Sequence, residues 1–355
     1  MFASHVRLAA VTTLLFTAPA SARKNIILDT DIFSDCDDAA ALQMAATSPD
    51  VRLLGVNVNT NSSFSALAAS SILAHYGHDA TPVGAPSPLA DTTFFDARDF
   101  SLGEFASKVA YHWSGGSLRW GRADDDALDP VGLYRAALSA SEDGSVTIIS
   151  LGFLSNLAAL LDSGPDEHSD LPGPELVAEK VSELVIMGGA YPSGVEWNFA
   201  GADPAAAARV VNNWPGRMVF SGFELGESVF SGMRLMAEGP SNDPVRAAYI
   251  YYTYGKPRHS WDPLTVLYAI RGLSDVFEYG NENGYNHVSP DGSNVWVDDE
   301  TVTNQHYLRL KLDNQTVGDE LDRLYLEAAW MAENPLLNID IPWMPRFPKY
   351  PKLEL

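Results

Sequence analysis

Five aspartates fall within ten residues in the stretch Asp29-Thr30-Asp31-Ile32-Phe33-Ser34-Asp35-Cys36-Asp37-Asp38. Carboxylates packed this closely repel one another and stay ionised only where a cation compensates them. Donors that are all oxygen suit a hard ion such as calcium or magnesium. The apolar run Asn25-Ile26-Ile27-Leu28 leads directly into the cluster, as a buried parallel strand would. In open α/β sheets the carboxyl ends of such strands are where ligands bind. An acidic surface loop that caps a helix could use the same residue types, but it would not need the strand before it.

Two further acidic runs, Asp124-Asp125-Asp126 and Asp298-Asp299-Glu300, lack such a strand and read as solvated loops. Cys36 lies inside the first cluster, where negative neighbours raise a thiol's pKa and argue against a nucleophile. An EF-hand is excluded, because the loop lacks the central glycine and the terminal glutamate at the required spacing. An aspartyl-phosphate phosphohydrolase would need a hydroxyl residue two positions after Asp31, and that position is Phe33.

The elements that must hold the cluster alternate along the chain. After the strand at residues 25–28 comes a helical pattern from Asp38 to about Ala46, then a strand over Val51 to Val58 and a helix over Phe64 to Tyr76. Asp129-Pro130 and Asp203-Pro204 both carry a helix-start signal, with aspartate as N-cap and proline in the first turn. Strands are expected at Ser145 to Ser150, Val181 to Met187 and Met218 to Phe220, with a helix running through Leu160. The region 276–312 is rich in strand and turn signals, and Gln315 to Ala332 reads as a closing helix. The alternation predicts an α/β fold: a mostly parallel, Rossmann-type open sheet with helices on both faces. There is no repeat and no low-complexity linker, so one domain over residues 23–355 is expected.

The 355 residues, 46% of them hydrophobic, are enough for a large core. The net charge of −23 disfavours a nucleic-acid polymer or an anionic membrane as partner. Arg7, the apolar stretch Leu8 to Ala18 and the small residues Ala20-Ser21-Ala22 have the form of an export signal spanning 1–22. That apolar stretch is too short to span a bilayer. A secreted, extracellular protein is therefore expected. Cys36 is the only cysteine, so no intramolecular disulfide can form. Asn61-Ser62-Ser63 and Asn314-Gln315-Thr316 are glycosylation sequons.

Asp29-Thr30-Asp31 followed by Asp37-Asp38-Ala39 resembles the N-terminal signature of the inosine/uridine-preferring nucleoside hydrolases. Gly152-Phe153-Leu154-Ser155-Asn156, Met187-Gly188-Gly189-Ala190, Glu196-Trp197-Asn198, Asp203-Pro204 and Trp261-Asp262-Pro263-Leu264 resemble further elements of that family, in the family's order. The resemblance covers most of residues 25–270. It implies hydrolysis of the N-glycosidic bond of a small nucleoside, with Ca2+ as cofactor, and it is compatible with a homo-oligomer. Asp31, Asp38 and Asp262 would bind calcium through their carboxylates and Ser155 through its backbone carbonyl. Asp31 would also be the general base towards a calcium-bound water. Asp37 would contact ribose hydroxyls, while Glu196 and Asn198 would hold the 5′- and 3′-side hydroxyls. Asn61 would meet the ribose, with Asn59 close enough to compete, and an asparagine in that role would carry no glycan.

These residue types suit the chemistry independently of the family. Cleaving an N-glycosidic bond builds oxocarbenium-like positive charge on the sugar, which carboxylates and an amide oxygen stabilise. Two departures from the family pattern stand out. Asp35-Cys36 lengthens the acidic motif, which leaves the ribose-binding role open between Asp35 and Asp37. Trp261 stands where many members have a histidine that protonates the base. It resembles the stacking tryptophan of the purine-preferring branch, with a core tryptophan as the plainer alternative. His259 could replace the missing acid or be an ordinary loop histidine. Phe94, Phe95, Phe100 and Trp113 are candidates for a second stacking ring. Alternatives to a purine-preferring hydrolase are a hydrolase of another ribosyl compound and a nucleoside-binding protein without turnover.

Overall fold

The structure, a computed structural model, describes residues 23–95 and 102–334. The expected signal segment and Phe100 lie outside the described residues. Thirteen strands occur among them: β1 (Lys24–Thr30), β2 (Val51–Val58), β3 (Val83–Gly84), β4 (Val146–Ser150), β5 (Val181–Met187), β6 (Ser193–Val195), β7 (Met218–Ser221), β8 (Phe230–Ser231), β9 (Arg258–His259), β10 (Phe277–Tyr279), β11 (Tyr285–Val288), β12 (Ser293–Val297) and β13 (Gln305–Leu310).

Eight of these strands form the central sheet, in the order β10-β13-β7-β5-β4-β1-β2-β3. Every pairing in it is parallel except that of the edge strand β10 with β13. The chain runs outward from β1 through β2 to β3, then returns to the other side of β1 with β4 and continues through β5 and β7. The order thus reverses between β1 and β4, and such a switch point opens a crevice at the carboxyl ends of the strands.

Side-chain alternation shows that helices cover both faces. Ile26, Leu28, Ile149, Val185 and Val219 point into one core, which is closed by helices Asp37–Thr47, Ser63–His75, Pro244–Thr253, Trp261–Arg271 and Asn314–Glu333. Ile27, Ile148, Leu184, Ile186 and Phe220 point into the other, closed by helices Pro130–Ser139, Ser155–Asp162, Gly173–Lys180 and Pro204–Val211. Both Asp-Pro signals work as expected. Asp129 accepts from Gly132 N at 2.8 Å and Asp203 from Ala206 N at 3.0 Å. The same device opens helix Pro244–Thr253, where Asp243 caps Arg246 N at 2.7 Å.

The run 124–126 departs from the expected loop. It forms the short helix Ala123–Asp126, because Asp126 pairs with Arg119 and Asp124 accepts from Ser87 Oγ and Leu89 N. No described helix is long and apolar enough to cross a membrane.

Candidate active site

The acidic motif begins at the carboxyl end of β1. Asp29 is the last but one residue of that strand and is fully buried. It accepts hydrogen bonds from Asn59 Nδ2 (2.8 Å), Tyr134 Oη (2.8 Å) and Asn156 Nδ2 (3.0 Å), so it joins β1 to the segments after β2 and β4. Burial pushes its pKa up to about 7 against these three donors, which favour the charged form. Asp29 is a strut beneath the site and does not line the cavity.

Above it lies a cavity of about 380 Å³. Asp31, Asp35, Asp37, Asp38, Glu196 and Asp262 line it, together with Ser34, Asn198 and Arg258. The apolar lining comes from Leu151 and Met187 at the ends of β4 and β5, and from Phe94, Phe95, Trp197, Phe223, Tyr252 and Trp261. This is the crevice that the switch point predicts.

Three of the carboxylates converge. Asp37 and Asp38 in the first turn of helix Asp37–Thr47 and Asp262 in the first turn of helix Trp261–Arg271 each place an oxygen within 4.8 Å of the others. All three are buried. Burial first, and then the charge of the neighbouring carboxylates, pushes their pKa values well above the usual range. Such a group of buried carboxylate oxygens fits a hard divalent ion. The Thr30 hydroxyl orients Asp38 by donating to it. Asp37 caps the second helix by accepting from Trp261 N (3.0 Å) and Asp262 N (3.2 Å).

Asp31 faces the same cavity but stands outside that group of three. Ser34 Oγ donates to it at 2.7 Å, and burial raises its pKa to about 6. It packs directly on Gly152, where a Cβ would lie 2.7 Å from the Asp31 side chain. The glycine of the 152–156 segment is therefore needed for Asp31 to occupy its place.

Glu196 caps the short helix Trp197–Ala200, accepting from Asn198 N (2.8 Å), Phe199 N (3.3 Å) and Gly189 N (3.0 Å). Gly189 has φ +78°, a backbone that favours glycine, and so directs its N–H to Glu196. Burial raises Glu196 to about 7. Asn198 donates from Nδ2 to Leu151 O (2.7 Å) and Met187 O (3.1 Å), which leaves its amide oxygen for a ligand.

Trp261 forms the aromatic wall. Its Nε1 donates to Phe223 O at 2.7 Å. Phe223 and His259 stack on it at centroid distances of 5.5 and 4.8 Å, both at 28°. His259 places Nδ1 on Glu227 O and does not line the cavity.

Asn61 is not brought to the cavity. It is exposed and its backbone carbonyl accepts from Ala90 N, whereas Asn59 is the buried asparagine that holds Asp29. Ser155 opens helix Ser155–Asp162, half-buried, and is not among the cavity-lining residues. Trp113 is also elsewhere, donating to Asn242 O. The sequence reading missed Arg258, which pairs with Asp35, and it missed Phe223 and Tyr252.

Residues 26–325 match the family described as inosine-uridine preferring nucleoside hydrolase. The chain belongs to that family. An uncharacterised protein of Schizosaccharomyces pombe is 27% identical over 271 residues, which are 69% of this chain and 80% of that protein. A plant nucleoside hydrolase has the same fold, with a TM-score of 0.63 and 18% identity over 86% of this chain and 98% of that one. The purine-preferring ribonucleoside hydrolase of Gardnerella vaginalis superposes with a TM-score of 0.63 at 15% identity, over 87% of this chain and 99% of that one. An inosine-guanosine nucleoside hydrolase does so with a TM-score of 0.64 at 19% identity, over 85% and 98%. This nucleoside hydrolase is an enzyme, a nucleoside N-ribohydrolase, and its substrates are small nucleosides.

Proposed function

We propose that the enzyme hydrolyses ribonucleosides with the help of calcium, prefers purine bases and works outside the cytoplasm. One observation carries the reading: a single cavity joins six carboxylates to an aromatic wall that includes Trp261 and Phe223. A cationic sugar transition state and a flat base need those two halves side by side.

Asp37, Asp38 and Asp262 would hold the ion. When bound, such an ion positions a water molecule and lowers its pKa. Asp31 lines the same cavity, its pKa raised to about 6 by burial, and its carboxylate would be placed to accept a proton from the attacking water. The Glu196 carboxylate and the Asn198 amide oxygen supply negative potential around the ribose, where the oxocarbenium charge develops. Asp37 would help hold the ion while it caps the helix that begins at Trp261. This double duty supports giving Asp37, rather than Asp35, the role at the ion and ribose.

Purine preference rests on Trp261 as a platform, since base–aromatic stacking is worth roughly 1–3 kcal/mol and a purine offers the larger ring. The phosphate-repelling charge of −23 agrees with a nucleoside rather than a polynucleotide as substrate. Secretion rests on the sequence of residues 1–22, with cleavage after Ala22. N-terminal sequencing of exported protein should begin at Arg23, and a chain still beginning at Met1 would contradict this.

Rates on inosine, adenosine, guanosine and uridine test the specificity. Purine nucleosides should be cleaved faster, and a faster rate on uridine would overturn the preference.

A further inference from the structure

We propose that Arg258 is a further catalytic residue: its guanidinium donates to the nucleobase as the base departs, and it takes the place of an acid at that end of the cavity. This rests on the nucleoside hydrolase reading and deepens it.

The chemistry creates the requirement. As the oxygen of water bonds to C1′, the C1′–N bond breaks and its electron pair stays on the base nitrogen. The water's proton goes to Asp31, and the base anion takes a proton from solvent. The products are the free base and ribose. Negative charge therefore grows on the base at the moment of cleavage, at the end of the cavity away from the sugar. Six carboxylates line this cavity; apart from Asp35, which pairs with Arg258, they suit the ion and the cationic sugar but oppose an anionic base. Among the described residues that line it, no histidine is present and Arg258 is the one cation.

The geometry gives Arg258 a fixed place at the aromatic end. Nε donates to the two Asp35 oxygens at 3.0 and 2.9 Å, and Nη2 donates to the same carboxylate. The guanidinium carbon lies 5.4 Å from the ring centroids of both Tyr252 and Trp261. The pair with Asp35 uses Nε and Nη2, so Nη1 is not part of it. An arginine held by a two-point carboxylate bond and two ring faces has lost its conformational freedom in advance. It presents its remaining N–H groups beside the proposed base platform without reorganisation, which is how preorganised donors stabilise developing charge. The longer acidic motif acquires a purpose here, because the extra Asp35 is the residue that fixes Arg258. A guanidinium stays protonated, so Arg258 acts as a hydrogen-bond donor and electrostatic partner and does not transfer a proton.

The test varies the leaving group. A ribofuranoside of p-nitrophenol leaves as a stable anion and needs little help, whereas inosine needs much more. Both are assayed with the full-length enzyme and with Arg258→Met and Arg258→Lys. A hydrogen bond to a charged group is worth roughly 1.5–3 kcal/mol, so in Arg258→Met the ratio of kcat/KM for inosine to that for the nitrophenyl riboside should fall about 10- to 100-fold. Arg258→Lys keeps the charge without the planar fork and should lose less of that ratio. An equal loss on both substrates in both variants would make Arg258 structural and overturn the proposal, as would no change in the ratio. A wild-type enzyme that cleaves no nucleoside would instead refute the functional reading beneath it.

Discussion

The Asp37 carboxylate holds the start of the helix that begins at Trp261, accepting from Trp261 N at 3.0 Å and from Asp262 N at 3.2 Å. One side chain thus ties the acidic motif at the N-terminal end of the sequence to a segment more than two hundred residues later. Through that bond the carboxylate cluster and the aromatic wall have a fixed relation. Asp37→Asn keeps an acceptor for the cap but removes one of three crowded charges. In the presence of a chelator the variant should melt at or above the wild-type temperature, because the repulsion among buried carboxylates is relieved. Added calcium should raise its melting temperature less than it raises that of the wild type. Equal calcium-induced shifts in scanning fluorimetry would remove Asp37 from the ion site.

Asp31→Asn should lower kcat by roughly 10²- to 10⁴-fold, the usual contribution of a general base. The cooperative thermal transition should survive, since asparagine has nearly the same size and can still accept from Ser34. Turnover within a few-fold of wild type would assign proton transfer to another group.

Glu196 gives a pH prediction. Its pKa rises from 4.5 to about 7 on folding because it is buried. The folded state therefore binds this proton more tightly than the unfolded state does. The resulting stabilisation is fully present below pH 4.5 and is lost as pH rises through about 7. The shift corresponds to at most about 3 kcal/mol. Glu196→Gln lacks the titration, so between pH 5 and 8 the stability of the wild type should decline relative to the variant. Chemical denaturation across that range reads the difference, and parallel curves would show that Glu196 titrates normally.

Trp261 is tested from two sides. Trp261→Ala should shrink the preference for inosine over uridine, by about tenfold for each 1.4 kcal/mol of differential stacking. Gly226→Ala should also reduce it, because a Cβ there would lie 2.5 Å from the indole ring and 2.7 Å from the Trp261 Cα. An unchanged ratio in both variants would make Trp261 a packing residue.

Much of the fold was legible because its signals are local. β2 and β5 begin and end where their apolar runs do, at Val51–Val58 and Val181–Met187. The aspartate-proline starts at 129–130 and 203–204 act through hydrogen bonds to the third residue on. Asp243-Pro244 carries the same local signal and starts its helix in the same way. β3 has only two residues, too few for a periodic pattern, and it exists because Val56 and Asn57 are there to pair with it.

The site divides in the same way. The crowding of the motif pointed to a cation, the family resemblance singled out Asp31, Asp37 and Asp38 within it, and all three line the cavity. Asn61 against Asn59 could not be settled from sequence. The choice depends on where the chain turns after β2, and the turn buries Asn59 and leaves Asn61 exposed. The Asp35–Arg258 pair joins positions 223 residues apart, and nothing local to either residue marks the other.

The central claim is that buried carboxylates hold a divalent ion used to hydrolyse ribonucleosides. The most direct measurement is release of free base from inosine by purified enzyme, first as prepared, then after a chelator, then after calcium is restored. The account predicts hydrolysis, its loss on chelation and its recovery with calcium. Full activity in the chelated enzyme, or no base released from any nucleoside under any of the three conditions, would contradict it.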